Sequence, residues 1–462
     1  MKHPPARIGR FLTGAALTLL AAAPAVQGQS ADALIDKLVD KGILTVKEAN
    51  DLREETDKNF NSAYQVKSGM PDWVTSLKIN GDFRGRFERN TADNDAYSDR
   101  SRFRYRMRLG VVASLVDNFE VGVRLASGNP LSGGAINGSP GGSPVTANQD
   151  LNSLESRKWL WIDAAYAKWT PINNKDWIVN GTIGKMDNPF TLSNMVWDYD
   201  INPEGGAFQV IHNLGSKHAL RGTGAFFVLD ELNQVNSTVP TIRPSQDPYL
   251  YGGQLLLESK WAPKFETALG VAVFNVVHSD SLSAVAQPFY NAGNTRKADG
   301  LLVYNMNPIV GSASATYRLD SFPLYTGSFP VRVLGEYMDN PAAANNNIGY
   351  RVGFAFGKAG HKQTWEVNYR YQRLEADAWF DALVDDDNGG FYAKGNPQLA
   401  NTPKSSGWFG GTNVRGHLVQ ATYSFTDYLN FTFTYYLNDL IINAPNQSSD
   451  ASHFMADLMW KF

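Results

Sequence analysis

Hydrophobic and polar positions alternate with a period of two along most of the chain after about residue 73. The sharpest run covers residues 102–111, where Phe103, Tyr105, Met107, Leu109 and Val111 alternate with Arg102, Arg104, Arg106 and Arg108. Similar runs cover residues 76–88, 351–356, 365–372, 419–425 and 453–462. Successive side chains of a β-strand point to opposite faces of the sheet. Each run therefore predicts a strand with one apolar and one polar face.

Three further features favour a membrane-spanning barrel over a soluble β-sandwich, which would alternate in the same way. The runs often reach about ten residues, whereas strands of soluble proteins average roughly five or six. Aromatic residues gather near the ends of the runs, as in the interfacial girdles of membrane barrels. They are Trp159, Trp161, Trp169, Trp177, Trp261, Tyr428 and Trp460. The third feature is the spacing of the connections.

Short and long connections alternate strictly along the chain. Short turns are predicted near residues 117–118, 171–175, 215–216, 262–263, 321–325, 359–361 and 426–427. Long polar loops are predicted near residues 89–100, 128–156, 187–205, 229–248, 278–299, 339–348, 376–411 and 438–450. Outer-membrane barrels have short periplasmic turns and long extracellular loops, and their strands close on themselves so that every backbone group is paired. We therefore predict an all-β transmembrane fold, a closed antiparallel β-barrel of about 16 strands over residues 71–462.

The first residues are typical of a secretory signal peptide, predicted over residues 1–28. Lys2, Arg7 and Arg10 accompany an apolar run of roughly 13 residues, shorter than the roughly 20 residues of a membrane-spanning helix. A membrane anchor is the alternative interpretation. Residues 29–70 show helical spacing, and Thr45 and Glu48 have the spacing of a capping box. We predict a short N-terminal helical segment here, a periplasmic linker or trimer-forming coiled coil, or else a site for peptidoglycan or another partner.

Composition argues against several other functions. The net charge is −3 and charged residues are 19% of the chain, so we expect no nucleic-acid partner, which would favour a basic surface. The chain has no cysteine and can form neither a disulfide nor a thiolate metal site. Its 7 histidines show no metal-ligand spacing. We expect no enzyme activity, no cofactor and no metal; an outer-membrane protease or lipase is the enzyme alternative.

Two smaller motifs are interpreted as surface features. His212 and His218 flank a predicted turn and are expected to be exposed. Asp385, Asp386 and Asp387 precede Asn-Gly, as in some calcium loops, but the ligand spacing and the closing glutamate are missing. We expect a solvated acidic loop there, or one bridged to lipopolysaccharide.

Residues 453–462 give the most specific single signal. One face of this strand carries Phe454, Ala456, Leu458, Trp460 and Phe462, and the other carries His453, Asp457 and Lys461. An alternating strand that ends in phenylalanine resembles the signal read by the barrel assembly machinery of the outer membrane. The resemblance implies a contact with that machinery through Phe462.

Several short motifs resemble the putative-porin family of Gram-negative bacteria. They are residues 41–45 (KGILT), the opening strand 78–84 (KINGDFR), the arginines of residues 102–108 and residues 184–190 (GKMDNPF). The resemblance extends over nearly the whole mature chain. It implies an outer-membrane channel and a homotrimer, surrounded by outer-membrane lipid and lipopolysaccharide, and it leaves the solute open.

A barrel of this size encloses a water-filled lumen, so its inward side chains set which solutes pass. The predicted basic strip consists of Arg84, Arg86, Arg102, Arg104, Arg106 and Arg108. General porins resemble one another in folding the third long loop into the lumen, and loop 187–205 carries Asp187, Asp198, Asp200 and Glu204. We expect these acids to face the arginines across the constriction. The alternatives are a salt-bridged lining without a role in selectivity and a dedicated anion site, for example for phosphate.

The predicted function is that of an outer-membrane porin for passive diffusion of small hydrophilic solutes and ions. Two alternatives remain within the same fold: a solute-specific channel for phosphate or sugar, and a non-conducting structural barrel. A secreted structural or adhesive β-protein is disfavoured by the alternation of turns and loops.

Overall fold

The computed structural model describes residues 70–94, 99–130, 141–231, 247–282, 292–297, 300–392, 407–443 and 448–462. The predicted signal peptide 1–28 and residues 29–69 of the predicted helical segment lie outside the described residues. The chain divides into two compact units, Met1–Thr75 and Ser76–Phe462, and the description below concerns the second. No described helix is long and apolar enough to cross a membrane.

Sixteen antiparallel strands form the wall of a closed barrel. They are β1 Val74–Ala92, β2 Arg100–Leu115, β3 Phe119–Ser127, β5 Leu160–Asn173, β6 Trp177–Lys185, β7 Glu204–Leu214, β8 His218–Val228, β9 Tyr249–Ala262, β10 Phe265–Val277, β11 Ile309–Leu319, β12 Phe329–Asp339, β13 Ile348–Gly357, β14 Thr364–Leu374, β17 Val414–Ser424, β18 Leu429–Leu440 and β19 Ala451–Lys461. The short β4 Gln149–Asp150 pairs with β2, while β15 Gly389–Tyr392 and β16 Gly407–Gly410 form a separate hairpin. In the described part of the chain, 3-10 turns occupy Val116–Asn118 and Ser279–Ser281.

The barrel closes where β19 returns to β1. These strands pair without a break from Asp82↔Lys461 to Ala92↔Ala451. Gly81 and Phe462 extend the seam by exchanging backbone hydrogen bonds of 2.8 and 3.1 Å. A closed sheet has no edge strand with unpaired amides, which is the condition for β-structure in hydrocarbon. The predicted closed barrel of about 16 strands is confirmed.

The wall is apolar outside and polar inside. On β2, Phe103 is 62% exposed, whereas its neighbours Arg104 and Arg106 are 7% and 6% exposed. The same inversion holds on β1, where Phe83 points out and Glu88 is buried. A soluble β-protein would bury the aromatic ring and expose the arginine. The period-two pattern therefore separates a lipid-facing surface from the lining of a lumen.

Exposed aromatic residues mark the end of the barrel that carries the short turns. Trp169 of β5 stacks on Phe119 of β3, with ring centroids 5.4 Å apart. Trp177, at the start of β6, stacks on His212 of β7 at 3.9 Å. Trp261 and Tyr428 lie at the ends of other short turns, and Trp460 lies near the end of β19. These rings form the aromatic girdle expected at a membrane interface.

The largest cluster of buried apolar side chains lies inside the barrel, where two loops pack against the wall. The first inner loop, residues 186–203 between β6 and β7, crosses the lumen. Its Phe190 packs edge-to-face against Phe227 of β8 and Phe274 of β10, with ring centroids 6.3 and 5.1 Å apart. Further along, Ser193 hydrogen-bonds to Glu336 on β12. The loop thus spans between walls formed by distant parts of the chain.

The second inner loop, residues 375–388 after β14, also folds into the lumen. Its Trp379 is fully buried and donates its indole Nε1–H to the Val196 carbonyl at 2.8 Å. The Asp198 backbone amide donates to the Leu383 carbonyl at 2.7 Å. The expectation of a solvated acidic loop at 385–387 is wrong, because Asp385 is only 7% exposed. The apolar residues Ala378–Phe380 and Ala382–Val384 pack inside the barrel and draw the neighbouring acids inward.

Candidate functional site

The arginines predicted from the sequence all lie on β1 and β2, and most of them are held by acids of the wall. Arg86 donates to both oxygens of Asp457 on β19, at 2.7 and 2.9 Å, and approaches Asp387 at 3.4 Å. Arg84 donates to Asn148 at 2.7 Å and lies 3.8 Å from Asp457. These contacts connect β1 to β19, to the loop between β3 and β4, and to the second inner loop.

Arg102 and Arg104 lie near the start of β2, at the end of the barrel that carries the long loops. Both contact Glu88 of β1, Arg104 at 3.3 Å. Both also contact Asp150 of β4, at 3.5 and 2.9 Å. Because Asp150 lies in the loop between β3 and β5, these two arginines anchor that loop to the sheet, and neither borders the central cavity.

Arg106 and Arg108 share Asp82 of β1, at 3.0 and 2.7 Å. Arg106 also reaches Asp200 of the first inner loop at 3.3 Å. Of the predicted contacts between loop acids and the arginines of β2, the structure contains this one. It places one acid of the crossing loop opposite the basic strip.

The other predicted loop acids lie elsewhere. Asp187 pairs with Arg124 of β3 at 2.7 Å. Glu204, the first residue of β7, pairs with Lys185 at 2.8 Å. Asp198 faces the second inner loop rather than the arginines. Sequence spacing could not separate these positions, since they depend on the path of the loop across the lumen.

Asp198, Asp385 and Asp386 bring their carboxylates together where the two inner loops meet. One oxygen from each lies within 4.8 Å of the other two. Asp198 accepts the backbone amide of Asp386 at 3.2 Å, and Asp385 donates its own amide to the Asn194 carbonyl at 3.0 Å. Three carboxylates at this spacing could accept a cationic group or a hard cation.

Burial and mutual repulsion make these acids weaker than usual. Burial, together with the charges of Asp200 and Asp385, raises the pKa of Asp198. Burial and the charge of Asp387 raise the pKa of Asp385 to about 6. The pKa of Asp387 is lowered: burial opposes ionisation, but Arg86 and His453 outweigh it. The loop junction therefore changes its charge close to neutral pH.

Three arginines that the sequence analysis did not single out line the opposite side of the lumen. They are Arg332 on β12, Arg351 on β13 and Arg370 on β14. Each is a single arginine at an inward position, unlike the run on β2, so only strand alternation could have indicated them. Gly353 lies close against the backbone of β14, because a Cβ at Gly353 would lie 2.5 Å from the Tyr369 carbonyl oxygen and 3.1 Å from the Arg370 Cβ.

A cavity of about 480 Å³ lies between these groups. It is lined by Arg84, Arg86, Arg106, Arg332, Arg351 and Arg370 and by Asp198, Asp200, Asp385, Asp386 and Asp387. Charges of opposite sign therefore border one water-accessible space narrowed by the two inner loops. Such an arrangement orients polar molecules and disfavours apolar ones, because water ordered by the field is costly to displace.

A closed antiparallel barrel with an apolar exterior, a charged lumen and inward-folded loops is a porin-type β-barrel. Residues 88–300 match the family model described as "Putative porin". The resemblance seen in the sequence motifs is thus confirmed over these residues. The fold and the family match over residues 88–300 together indicate a bacterial outer-membrane protein.

Solved porin structures align with the chain at low sequence identity. OprB of Pseudomonas putida, in its high-pH structure, aligns with a TM-score of 0.50 and 10% identity over 87% of this chain and 96% of that one. A triple mutant of the Rhodopseudomonas blastica porin aligns with a TM-score of 0.39 and 9% identity over 84% of this chain and 100% of that one. No curated protein matches the chain by sequence.

Proposed function

We propose that the chain forms a water-filled channel in the outer membrane through which small hydrophilic solutes and ions diffuse. The cavity between the wall arginines and the acids of the two inner loops is the observation that carries this proposal. A plugged structural barrel would need neither an open space nor separated charges at that level.

The constriction in this proposal has two components. The first inner loop supplies Asp198 and Asp200, and the second supplies Asp385 and Asp386. Arg84 and Arg106 lie on the wall that faces them, with Arg106 in contact with Asp200. The remaining predicted residues, including Arg102, Arg104 and Arg108, serve to hold the wall and its loops in place.

Single-channel conductance tests the proposal. The refolded full-length chain is added to a planar bilayer in symmetric salt, and the reversal potential is then measured under a salt gradient. We expect discrete, long-lived ohmic steps and a reversal potential that reports the balance of the two charge sets. The same mass of unfolded chain is the control. Stable insertion without conductance would contradict the channel and favour a structural barrel.

The proposed assembly is a homotrimer surrounded by lipid and lipopolysaccharide and delivered by the barrel assembly machinery. The apolar outer face of residues 453–462, continuous with Phe83 and Phe87 of β1, supports a recognition role for this strand. Chemical cross-linking of the detergent-solubilised protein should give dimers and trimers. A purely monomeric pattern, with a matching mass in sedimentation, would contradict the trimer.

A further inference from the structure

Two lumen-facing guanidinium groups converge on one neutral oxygen. Arg351 Nη1 and Arg370 Nη1 both donate to Asn194 Oδ1, at 2.6 and 3.3 Å. Among the described residues, no carboxylate forms a salt bridge with either arginine. Arg351 is 5% exposed, and its buried Nε has no hydrogen-bond partner in the described part of the chain. Each guanidinium has five donors, so the pair can still accept an anionic group.

A group of carboxylates without a cationic partner among the described residues lies beside this pair of arginines. Asp198, Asp385 and Asp386 hold their carboxylates within 4.8 Å of one another, and no described lysine or arginine is in salt-bridge contact with any of them. Their hydrogen bonds come from backbone amides and neutral side chains, such as Tyr436 to Asp385 at 3.3 Å. A cationic group would relieve this repulsion.

Asn194 lies between the two sets of charges. Its Oδ1 accepts from the arginines, its Nδ2 donates to the Asp385 carboxylate, and its backbone carbonyl accepts from the Asp385 amide. Arg351 and Arg370 are fixed on the wall, whereas Asp385 is fixed by the loop, so the amide separates groups that would otherwise pair. Both sets border the same cavity.

We propose that this junction is a subsite for small zwitterions of the amino-acid class, with the carboxylate at Arg351 and Arg370 and the ammonium group at Asp198, Asp385 and Asp386. The inference rests on the proposed channel function and names the solute that the channel favours. A simple anion is attracted by the arginines but repelled by the acids. A simple cation is attracted by the acids but repelled by the arginines. An uncharged solute of the same size gains neither contact. A zwitterion alone compensates both imbalances.

Liposome swelling with a matched set of solutes tests the subsite. Alanine, lactate, 1-amino-2-propanol and 1,2-propanediol share a three-carbon skeleton and differ in their charged groups. We expect alanine to enter liposomes containing the full-length chain roughly tenfold faster than 1,2-propanediol, as one or two charge-assisted hydrogen bonds allow. Its uptake should also saturate as the concentration rises.

Two variants, one from each side of the subsite, should remove this preference. Arg370→Gln and Asp386→Asn are each expected to bring the alanine-to-propanediol ratio close to one. Arg318→Gln is the matched control, because Arg318 of β11 pairs with Glu266 away from the cavity. Equal entry of all four solutes through the unmodified channel, or an unchanged ratio in both variants, overturns the subsite. Failure of every solute to enter overturns the channel itself and the inference with it.

Discussion

Arg86 on β1 and Asp457 on β19 are direct cross-strand partners at the barrel seam, joined by two hydrogen bonds of 2.7 and 2.9 Å. Their side chains are 5% and 11% exposed, so each group is largely shielded from water. Asp387 of the second inner loop approaches the same guanidinium at 3.4 Å. One buried cation thus contacts both the closing strand and the second inner loop.

Replacing Asp457 with Asn should destabilise the barrel by about 3 kcal/mol, because a buried guanidinium loses the carboxylate to which it makes two hydrogen bonds. The free energy of unfolding can be measured from the urea dependence of the heat-modifiable electrophoretic shift. The matched control is Asp439→Asn, since Asp439 pairs with Arg415 across β17 and β18 where the side chains are more exposed. We expect that change to cost about 0–1 kcal/mol. Equal losses in the two variants would contradict a special role for the seam pair.

Charge changes at the constriction should alter ion selectivity in opposite directions. Arg106→Gln should raise the cation-to-anion permeability ratio about twofold, or ~0.4 kcal/mol, and Asp200→Asn should lower it by a similar factor. Arg104→Gln should have little effect, because Arg104 does not border the cavity and is held by Glu88 and Asp150. Reversal potentials under a salt gradient provide the measurement. A larger shift in the Arg104 variant than in the Arg106 variant would refute this assignment.

The contact between the inner loops should control channel width. Trp379→Ala removes a fully buried ring and its hydrogen bond to Val196, a loss of about 3–5 kcal/mol of local packing. We expect larger and noisier single-channel currents as the second inner loop leaves the lumen. Trp169→Ala, on the outer girdle, removes the same side chain without touching the cavity and should leave conductance unchanged. Identical currents in all three proteins would show that the loop does not limit passage.

The wall could be predicted from the sequence because it depends on local periodicity. Phe103 and Arg104 are adjacent, and a strand sends adjacent side chains to opposite faces whatever the rest of the chain does. Turns such as residues 117–118 can likewise be predicted from neighbouring residues alone. The sequence therefore predicted the strands, their inward and outward faces and the alternation of connections.

The constriction could not be predicted in the same way, because it depends on contacts between residues far apart in the chain. Trp379 reaches Val196 across a separation of 183 residues, and no periodic pattern connects the two positions. The sequence of residues 385–387 predicts a solvated acidic loop. The structure buries it because the preceding apolar residues pack inside the barrel. Most of the clustered arginines of β2 bind wall acids, whereas the isolated Arg351 and Arg370 line the cavity.

Channel selectivity should also depend on pH between about 5 and 7. The pKa of Asp385 is raised to about 6, chiefly by burial and then by the charge of Asp387. This carboxylate is therefore largely ionised at pH 7 and largely neutral at pH 5. Acidification removes negative charge from the constriction, so the reversal potential should move toward anion selectivity, by about twofold in the permeability ratio.

Asp385→Asn isolates the contribution of this group. The variant should already be shifted toward anions at pH 7 and should lose the part of the titration centred near pH 6. Asp439→Asn is again the control, because Asp439 does not border the central cavity, and its pH profile should match that of the unmodified protein. The retained charges of Asp200 and Asp387 should keep the channel conducting in both variants. If Asp385→Asn and the unmodified channel show the same pH profile, the titration arises elsewhere and the junction of the two inner loops does not set selectivity.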